Sequence, residues 1–301
     1  MKPVLFTLPG LGWEIQAYGF FVAVALVVAW ASTLRLARAD GFDPQRLGPV
    51  FVAAAAAGLI GARAAWVLQH PAAFDGVRSL MTLRAGTLAP FAGTLVALVV
   101  SGAWVSRMKV PVWAWYDLLA PAMALGVAFE RFGALLAGTG FGRYAPDAAL
   151  SIRFPAGSQA FDAHRHALAN LMRSGATESL PVHPVQLYAA VLGLAGLGLC
   201  VALRGRRRFS GQVFLAFSMY YVAVRSFVEE FLRADAPAAV AGPLNGGQIS
   251  AAAMLLVLWV VYAVRSRRAA AGDDGVAVPK PGPASTSPGP RKPRKKKKGS
   301  R

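Results

Sequence analysis

The stretch that decides the fold is Phe214-Leu-Ala-Phe-Ser-Met-Tyr-Tyr-Val-Ala-Val-Arg225-Ser-Phe-Val-Glu229-Glu-Phe-Leu-Arg233, an apolar run that contains charged side chains. Residues four apart share one face of an α-helix, so Arg225 and Glu229 can touch, with Tyr221 one turn below. A lone charge near the bilayer centre costs at least about 2.5–3.5 kcal/mol on insertion scales. A membrane helix that keeps these groups therefore indicates a functional site that faces a charged ligand, although a structural pair that neutralises itself is the alternative.

The composition predicts an all-α membrane protein. The 301 residues are 55% hydrophobic and 15% charged, and the mean hydropathy is +0.46, which is too apolar for an ordinary soluble domain. The apolar residues fall in runs of roughly 20, the length that spans a bilayer as a helix. We expect seven transmembrane helices, and the first lacks the cleavage pattern of a removable signal peptide. The predicted spans are about 15–37, 48–69, 86–106, 111–137, 183–204, 211–232 and 247–265.

The distribution of basic residues predicts the orientation, because cytoplasmic connections collect Lys and Arg. Basic residues follow the first, third, fifth and seventh spans, so the N-terminus is expected outside and the C-terminus in the cytoplasm. Loop 70–85, with Arg78 and Arg84, fits this rule imperfectly. The polar insertion at about 143–182 then forms a small periplasmic head. The basic residues used here are Arg35, Arg38, Arg46, Arg107, Lys109, Arg204, Arg206, Arg207, Arg208, Arg265, Arg267 and Arg268.

We divide the chain into a transmembrane domain, 1–268, and a disordered basic cytoplasmic tail, 269–301. The tail begins with a stretch rich in Pro, Gly, Ser and Ala and ends in a basic run at 291–301. Beside a membrane span, such a run is typical of a segment held near anionic lipid headgroups, and no nucleic acid is expected as a partner.

The cysteine and histidine content gives little support for a metal site. Cys200 is the only cysteine, so an intramolecular disulfide and a cysteine-based metal site are excluded, and we expect it to be a small core residue. His164 and His166 are two residues apart and do not share a helical face. A metal site at these histidines is therefore disfavoured.

The segment Glu130-Arg131-Phe-Gly133-Ala-Leu-Leu-Ala-Gly138-Thr-Gly140-Phe-Gly142-Arg143 places an arginine in or near a span among several glycines. The planar guanidinium group suits a phosphate, since it can make two parallel charge-assisted hydrogen bonds. Glycines allow the backbone to approach a ligand closely. The alternative is an arginine that reaches out to water, with glycines that serve helix packing.

Three further segments carry polar groups at membrane depth. His183-Pro-Val-Gln-Leu-Tyr188 opens the fifth span, with proline in the first helical turn. Tyr18-Gly19 places a hydroxyl in the first span that needs a partner. Gly61-Ala62-Arg63 adds an arginine to the second span. Each segment also has a purely structural interpretation. The His183 segment can be an ordinary helix start, Tyr18 an interfacial tyrosine, and Arg63 a member of an internal ion pair.

Taken in this order, these segments resemble the prolipoprotein diacylglyceryl transferase family. The likeness runs from Tyr18-Gly19 through the Arg131 segment and the His183 segment to Tyr221-x3-Arg225-x3-Glu229-x3-Arg233-x-Asp235 and Gly247-Gln248-Ile-Ser250. The resemblance implies an inner-membrane bundle of seven helices with a periplasmic head. It also implies transfer of a diacylglyceryl group from phosphatidylglycerol to the lipobox cysteine of a prolipoprotein, with glycerol 1-phosphate as the leaving group.

The resemblance also implies roles for individual residues. Arg131, with Gly133, Gly142 and Arg143, would bind the phosphatidylglycerol headgroup. Arg225 would assist at the phosphate, and Glu229 would orient Arg225 or handle the thiol proton. Tyr18 and Tyr221 would donate hydrogen bonds. His183 would line the wall of the site. The expected partners are phosphatidylglycerol, the prolipoprotein signal peptide with its lipobox cysteine, and membrane lipids, and the resemblance implies no metal and no soluble cofactor.

This sequence departs from the family pattern at several polar positions. Ala134 stands where Asn or Cys is usual, and Ala137 and Thr139 stand where polar or acidic residues are usual. Ala189 replaces a Glu, and Phe91-Ala92-Gly93 lacks a familiar His. The alternative function is therefore a catalytically silent phospholipid-binding relative. An anion channel is disfavoured because no inverted repeat is evident.

Overall fold

The computed structural model describes residues 4–7, 14–71, 88–235 and 237–278, and long helices make up most of this part of the chain. Two short antiparallel strand pairs accompany them, so the described chain is not purely helical. The strands are β1 (Val4–Thr7) with β2 (Glu14–Gln16) and β3 (Ala239–Ala241) with β4 (Leu244–Asn245). The α-helices are α1 (Ala17–Ala39), α2 (Pro44–Gln69), α3 (Pro90–Arg107), α4 (Val112–Ala137), α5 (Gln159–Ala167), α6 (Val185–Arg204), α7 (Gln212–Val224), α8 (Glu230–Leu232) and α9 (Gly246–Ala270).

Six helices in the described part of the chain are long and apolar enough to cross a membrane: α1, α2, α3, α4, α6 and α9. The predicted span at 211–232 has a different form. It consists of α7, a π-helical turn at Arg225–Glu229 and α8, which follow one another without a break. The sequence predicted one regular helix here, and the π turn is the difference with the largest consequence for the site.

The observed helix α2 begins earlier than the predicted second span, because polar residues form its first turn. The prediction began the second span at about 48, but α2 begins at Pro44, because the Asp43 side chain accepts a hydrogen bond from the backbone N–H of Gln45. This is an N-cap, which allows polar residues to occupy the first turn.

Helix α4 lies at the centre of the bundle, where it packs against α1, α6 and α7. Its buried residues Ala120 and Ala124 share a core with Cys200 of α6 and Phe217 of α7, which confirms Cys200 as a core residue. A second core joins α4 to α1 and α2 through Trp115, Leu47 and other residues. Small residues bring α2 and α3 together, and a Cβ added at Gly93 would lie 2.7 Å from the Ala62 Cβ.

Polar contacts join the helices at the end of the bundle that carries the basic connections. Asp40, after α1, accepts hydrogen bonds of 2.8 Å from both Arg204 and Arg207. Arg265 of α9 donates to the Ser210 carbonyl at 2.8 and 3.1 Å, and its guanidinium lies 4.5 Å from the centroid of the Trp113 ring. The basic residues near these helix ends therefore gather on one side, as alternating spans require.

The structure describes the first ten residues of the predicted tail, 269–278. Helix α9 runs to Ala270, and a short 3-10 turn follows at Asp274–Val276. Val276 is buried, and its carbonyl accepts a hydrogen bond of 2.9 Å from the backbone N–H of Ser210. The apolar side chain and the backbone hydrogen bond hold Val276 against the bundle. The rest of the predicted tail, 279–301, lies outside the described residues, as does most of loop 70–85.

The insertion predicted at about 143–182 forms a small structural unit with its own core. Phe154, Ala160 and Val182 are buried together. Isolated antiparallel bridges pair Ile152 with Val182 and Pro155 with Glu178. Helix α5 lies within the insertion, and the Ser158 side chain caps its N-terminus. We call this unit the head.

His164, on α5, is buried in the head, and its Nδ1 accepts a hydrogen bond of 3.2 Å from the backbone N–H of Leu180. His166 is exposed on another side of the same helix. The two side chains therefore differ in their surroundings, His164 inside the head and His166 at its surface.

Asp117 should be essential for the stability of the basic end of the bundle. Its buried carboxylate accepts hydrogen bonds from the backbone N–H groups of Gly211 (2.7 Å) and Phe214 (2.9 Å) at the start of α7. Asp117→Ala leaves both N–H groups buried without this acceptor, so we expect the free energy of unfolding to fall by about 2–4 kcal/mol. Denaturant unfolding of the detergent-solubilised protein measures this. Asp117→Asn keeps one acceptor oxygen and should lose less, whereas an Asp117→Ala protein as stable as the parent contradicts the assignment.

The head should lose stability in acid because of His164. Burial lowers the pKa of His164 below its ordinary value, so the unfolded chain binds the proton more readily than the folded head does. The contribution of the neutral imidazole is therefore complete above about pH 6.5 and is lost as the pH falls through the folded-state pKa. Hydrogen exchange of the Leu180 amide, corrected for its intrinsic rate, should show lower protection in acid. His164→Gln should remove this pH dependence and His166→Gln should keep it; unchanged protection in the parent protein refutes the prediction.

Candidate functional site

Two arginines from different helices meet on one buried carboxylate at the end of the bundle opposite Asp117. Arg131 of α4 places its Nη2 3.5 Å from Oε2 of Glu229, and Arg225 of the π turn places its Nε 3.7 Å from the same oxygen. The Glu229 side chain is only 3% exposed. The predicted contact between Arg225 and Glu229 is present, and the guanidinium groups of Arg131 and Arg225 face a common point. We use the term arginine cluster for Arg131 and Arg225 together with the three glutamates that contact them, Glu130, Glu229 and Glu230.

The π turn changes which carboxylate Arg225 holds most closely. Nη1 of Arg225 lies 2.6 Å from Oε2 of Glu230, which is five residues along the chain. A π turn closes through i to i+5 hydrogen bonds rather than the i to i+4 bonds of an α-helix, so it brings positions five apart onto one side. The sequence argument assumed α-helical spacing and therefore missed Glu230. Its position next to Glu229 in an apolar run was the available signal.

Helix α9 supports the π turn from its N-terminus. Gln248 donates from Nε2 to the Ser226 carbonyl inside the turn at 3.0 Å. Gln248 and Asn245 also form a reciprocal cap on α9, and Asn245 Nδ2 lies 3.4 Å from Oε1 of Glu230. The Gly-Gln-x-Ser segment therefore holds the backbone that carries Arg225 and Glu229.

Helix α1 adds Tyr18 to the cluster through a second residue that the sequence argument missed. The Tyr18 hydroxyl donates to Oε1 of Glu130 at 3.3 Å, and Oε2 of Glu130 lies 3.3 Å from Nε of Arg131. Gly133 makes this approach possible, because a Cβ there would lie 2.8 Å from the Phe21 Cβ of α1. The predicted need of Tyr18 for a partner is thus met by Glu130. The signal was a carboxylate directly before Arg131.

Arg131 retains hydrogen-bonding capacity. Its contacts with Glu130 and Glu229, at 3.3 and 3.5 Å, are longer than the roughly 2.7–2.9 Å of strong charge-assisted bonds. Within the described residues, Nε of Arg131 and Oε2 of Glu229 are buried without a well-formed hydrogen bond. Its side chain is only 12% exposed, so water gives little compensation. A ligand with several acceptor oxygens would satisfy these donors better than the present carboxylates do.

Tyr221 lies within electrostatic range of both arginines and Glu229, and its ring stacks on Phe217 with 6.0 Å between centroids. Its position beside the cluster is as the sequence predicted. Arg63 lies elsewhere in the bundle, with its guanidinium 4.8 Å from the centroid of the Trp66 ring.

Gly142, Arg143 and His183 connect the head to the end of α8 through their backbones. The Gly142 N–H donates to the His183 carbonyl at 3.2 Å, and the Arg143 N–H donates to the Leu232 carbonyl at 2.8 Å. The exposed Arg143 side chain donates to the Arg233 carbonyl at 3.2 Å. Gly142 has no room for a Cβ against His183. These residues fix the position of the helix that carries Arg225.

Among the described residues, the side chains of His183 and Arg143 make no ion pair or hydrogen bond with the arginine cluster. The His183 ring lies beside Tyr188, with 6.4 Å between centroids. Gly133 and Gly142, which the sequence analysis assigned to substrate binding, occupy places where chain segments pack closely. Their role in binding stays a prediction, and the structure shows what they do for packing.

The positions that depart from the family pattern fall into two groups. Ala134 and Ala189 are buried, so their small side chains lie in packed interfaces. Ala137 and Thr139 line a cavity of about 570 Å³ between the head and the bundle. The cavity also has polar walls, formed by Gln16, Tyr18, Gln159, Asp162 and His166. Tyr18 therefore faces this cavity and also donates to Glu130 in the arginine cluster.

Comparison with known proteins gives consistent results along the chain. Residues 3–264 match the family model described as prolipoprotein diacylglyceryl transferase. A protein of Geobacter sulfurreducens is 29% identical over 277 residues, which cover 89% of this chain and 96% of the relative. One of Symbiobacterium thermophilum is 27% identical, covering 88% and 94%, and one of Thermus thermophilus is 27% identical, covering 73% and 80%. All three are named phosphatidylglycerol–prolipoprotein diacylglyceryl transferase.

Proposed function

This chain belongs to the prolipoprotein diacylglyceryl transferase family, and we propose that its arginine cluster holds the phosphate of phosphatidylglycerol during diacylglyceryl transfer. The enzyme transfers the diacylglyceryl group of phosphatidylglycerol to a prolipoprotein and releases glycerol 1-phosphate. The acceptor is the thiol of the lipobox cysteine. The observation that supports the assignment most strongly is the convergence of Arg131 and Arg225, from separate helices, on Glu229.

The chemistry of the reaction requires what the cluster offers. The thiolate of the precursor attacks the glycerol carbon that carries the phosphate ester, and the C–O bond breaks as the C–S bond forms. The departing phosphate gains negative charge, and preorganised guanidinium groups in a water-poor site stabilise such charge strongly. The nucleophile comes from the substrate, so the enzyme needs no nucleophilic side chain of its own. This suits a cluster of arginines and glutamates with tyrosines beside it.

A phosphate must compete with carboxylates for the arginines. Arg131 is the more available of the two, because its contacts with Glu130 and Glu229 are long. Arg225 is held by Glu230 at 2.6 Å, so Glu230 occupies the place of an anionic ligand while the site is free. We infer that the phosphate binds first at Arg131 and then displaces Glu230 from Arg225. Glu229 remains between the two guanidinium groups and limits their repulsion.

The charge distribution and the observed helices support a membrane arrangement for this chain. A multi-pass inner-membrane protein agrees with the apolar helices and with the family. We infer that α7, the π turn and α8 together make a further span, which gives seven. The basic end of the bundle then faces the cytoplasm. The N-terminus, the head and the arginine cluster lie toward the periplasm, where precursors arrive.

The silent phospholipid-binding alternative rested on the replaced polar residues, and neither the cluster nor the comparisons favour it. The arginines, Glu229 and Tyr18 form one connected group, and the relatives are named for the transfer activity. An anion pore is also disfavoured, because both arginines are paired with carboxylates, including the buried Glu229 that they share, rather than arranged along an open channel.

Complementation tests the proposed function. In a host depleted of its own transferase, this chain should restore lipidation of a lipobox precursor, read as a mobility shift or by mass spectrometry. Arg131→Ala and Arg225→Ala should each reduce lipidation by about 10²-fold or more, because each removes charge stabilisation at the leaving phosphate. Lysine at either position should restore little activity, since it lacks the planar fork.

Arg143→Ala serves as a matched control, because this exposed arginine contacts the Arg233 backbone rather than the cluster. We expect a smaller loss from it, through the position of α8, with protein levels compared by immunoblot. Full activity in both the Arg131→Ala and the Arg225→Ala variants, at normal expression, would remove the assigned site. Failure of the parent chain to lipidate any precursor would remove the function itself.

A further inference from the structure

We propose that Glu130, acting through the hydroxyl of Tyr18, accepts the proton of the precursor thiol in this enzyme. The proposal rests on the proposed function and names a residue that the family resemblance did not assign. Thiolate, rather than thiol, is the competent nucleophile, so the enzyme gains rate from a group that removes this proton beside the reacting sulfur.

The connection between the cavity and the arginine cluster runs through Tyr18. Tyr18 lines the cavity of about 570 Å³ between the head and the bundle, and its hydroxyl donates to Oε1 of Glu130 at 3.3 Å. The far walls belong to the head, at Gly157, Gln159 and Asp162. A peptide that enters between head and bundle therefore meets Tyr18, whereas Arg131 and Arg225 are not among the residues that line this cavity. The other oxygen of Glu130 faces Arg131 at 3.3 Å.

The exposure of the three glutamates distinguishes Glu130 from the other two. The Glu130 side chain is 33% exposed, compared with 14% for Glu230 and 3% for Glu229. A proton acceptor must return its proton to water after each turnover, and among the three glutamates only Glu130 has a substantially exposed side chain. Glu229 and Glu230 are instead engaged with Arg225.

The charged and titratable groups around Glu130 come from three helical segments. Arg131 is on its own helix, and Tyr18 approaches from α1. Tyr221 and Glu229 interact with it electrostatically from α7 and the π turn. Tyr18 and Arg131 are the nearest of these groups. Tyr18 donates a hydrogen bond to the Glu130 carboxylate, and Arg131 carries a positive charge beside it.

The step balances without any further reactant. The precursor S–H gives its proton to the Tyr18 oxygen as Tyr18 passes its own proton to Glu130. The products are a thiolate, an unchanged tyrosine and a protonated Glu130. The thiolate electron pair forms the C–S bond, and the electrons of the broken C–O bond remain on the phosphate, which Arg131 and Arg225 hold. Glu130 then releases its proton to water.

The test measures the rate of lipidation of a lipobox peptide by the purified full-length enzyme in phosphatidylglycerol micelles, as a function of pH. Glu130→Gln should lower the rate near pH 7 by about 10²-fold, the lower range for loss of a general base. Its rate should then rise about tenfold per pH unit up to the thiol pKa of about 8.5, because thiolate must form in solution. The parent enzyme should show a much shallower rise.

Tyr18→Phe should give the same steep profile, and the double variant should be no slower than the slower single variant, since both changes break one relay. Glu130→Asp should restore the shallow profile in part. Glu230→Gln is the matched control: it should lower the rate with the shallow profile kept, because Glu230 contacts Arg225 rather than Tyr18. Thermal unfolding reports whether each variant folds. If Glu130→Gln does not fold, the test uses Tyr18→Phe instead.

The proposal is overturned if Glu130→Gln keeps the shallow parental dependence of rate on pH, whatever its absolute rate. If Glu130→Gln does not fold, the same criterion applies to Tyr18→Phe. It is also overturned if the losses of the two single variants multiply in the double variant. An inactive parent enzyme would instead contradict the proposed function, so the two failures are distinguishable.

Discussion

The ion pairing of two arginines through one buried glutamate is the constraint on which the rest of the site depends. Two guanidinium groups held together in a water-poor region repel each other, and a buried charge without a partner costs several kcal/mol. Glu229, 3% exposed and between Arg131 and Arg225, removes that penalty and keeps both groups in place before a ligand arrives. The long contacts leave Arg131 able to bind a further anion.

The fold supplies this geometry from several directions. The π turn places Arg225 against Glu229 and Glu230 together, and Gln248 holds the turn through the Ser226 carbonyl. Gly133 lets α1 approach α4 closely. At the opposite end, Asp40 and Asp117 join the helix ends with hydrogen bonds from arginines and from backbone N–H groups. Hydrogen bonds and ion pairs thus join the helices at one end of the bundle. The other end carries the arginine cluster, the head and a polar cavity.

Much of this arrangement could be predicted from the sequence, because apolar run length and charge distribution determine membrane helices. The contact between Arg225 and Glu229 followed from α-helical spacing. Glu230 was missed because sequence spacing does not reveal a π turn. Glu130 was missed because a carboxylate beside an arginine says nothing about Tyr18, which is far away in the chain. Nothing in the sequence indicated that Val276, within the predicted tail, is buried against the bundle.

An experimental structure of the protein in lipid nanodiscs with phosphatidylglycerol tests the central claim most directly. The account predicts density for one phosphate with its oxygens about 3 Å from guanidinium nitrogens of both Arg131 and Arg225, with Glu230 withdrawn from Arg225 and Glu229 still between the arginines. A phosphate bound elsewhere in the bundle, while Arg131 and Arg225 keep only their carboxylate partners, would contradict it.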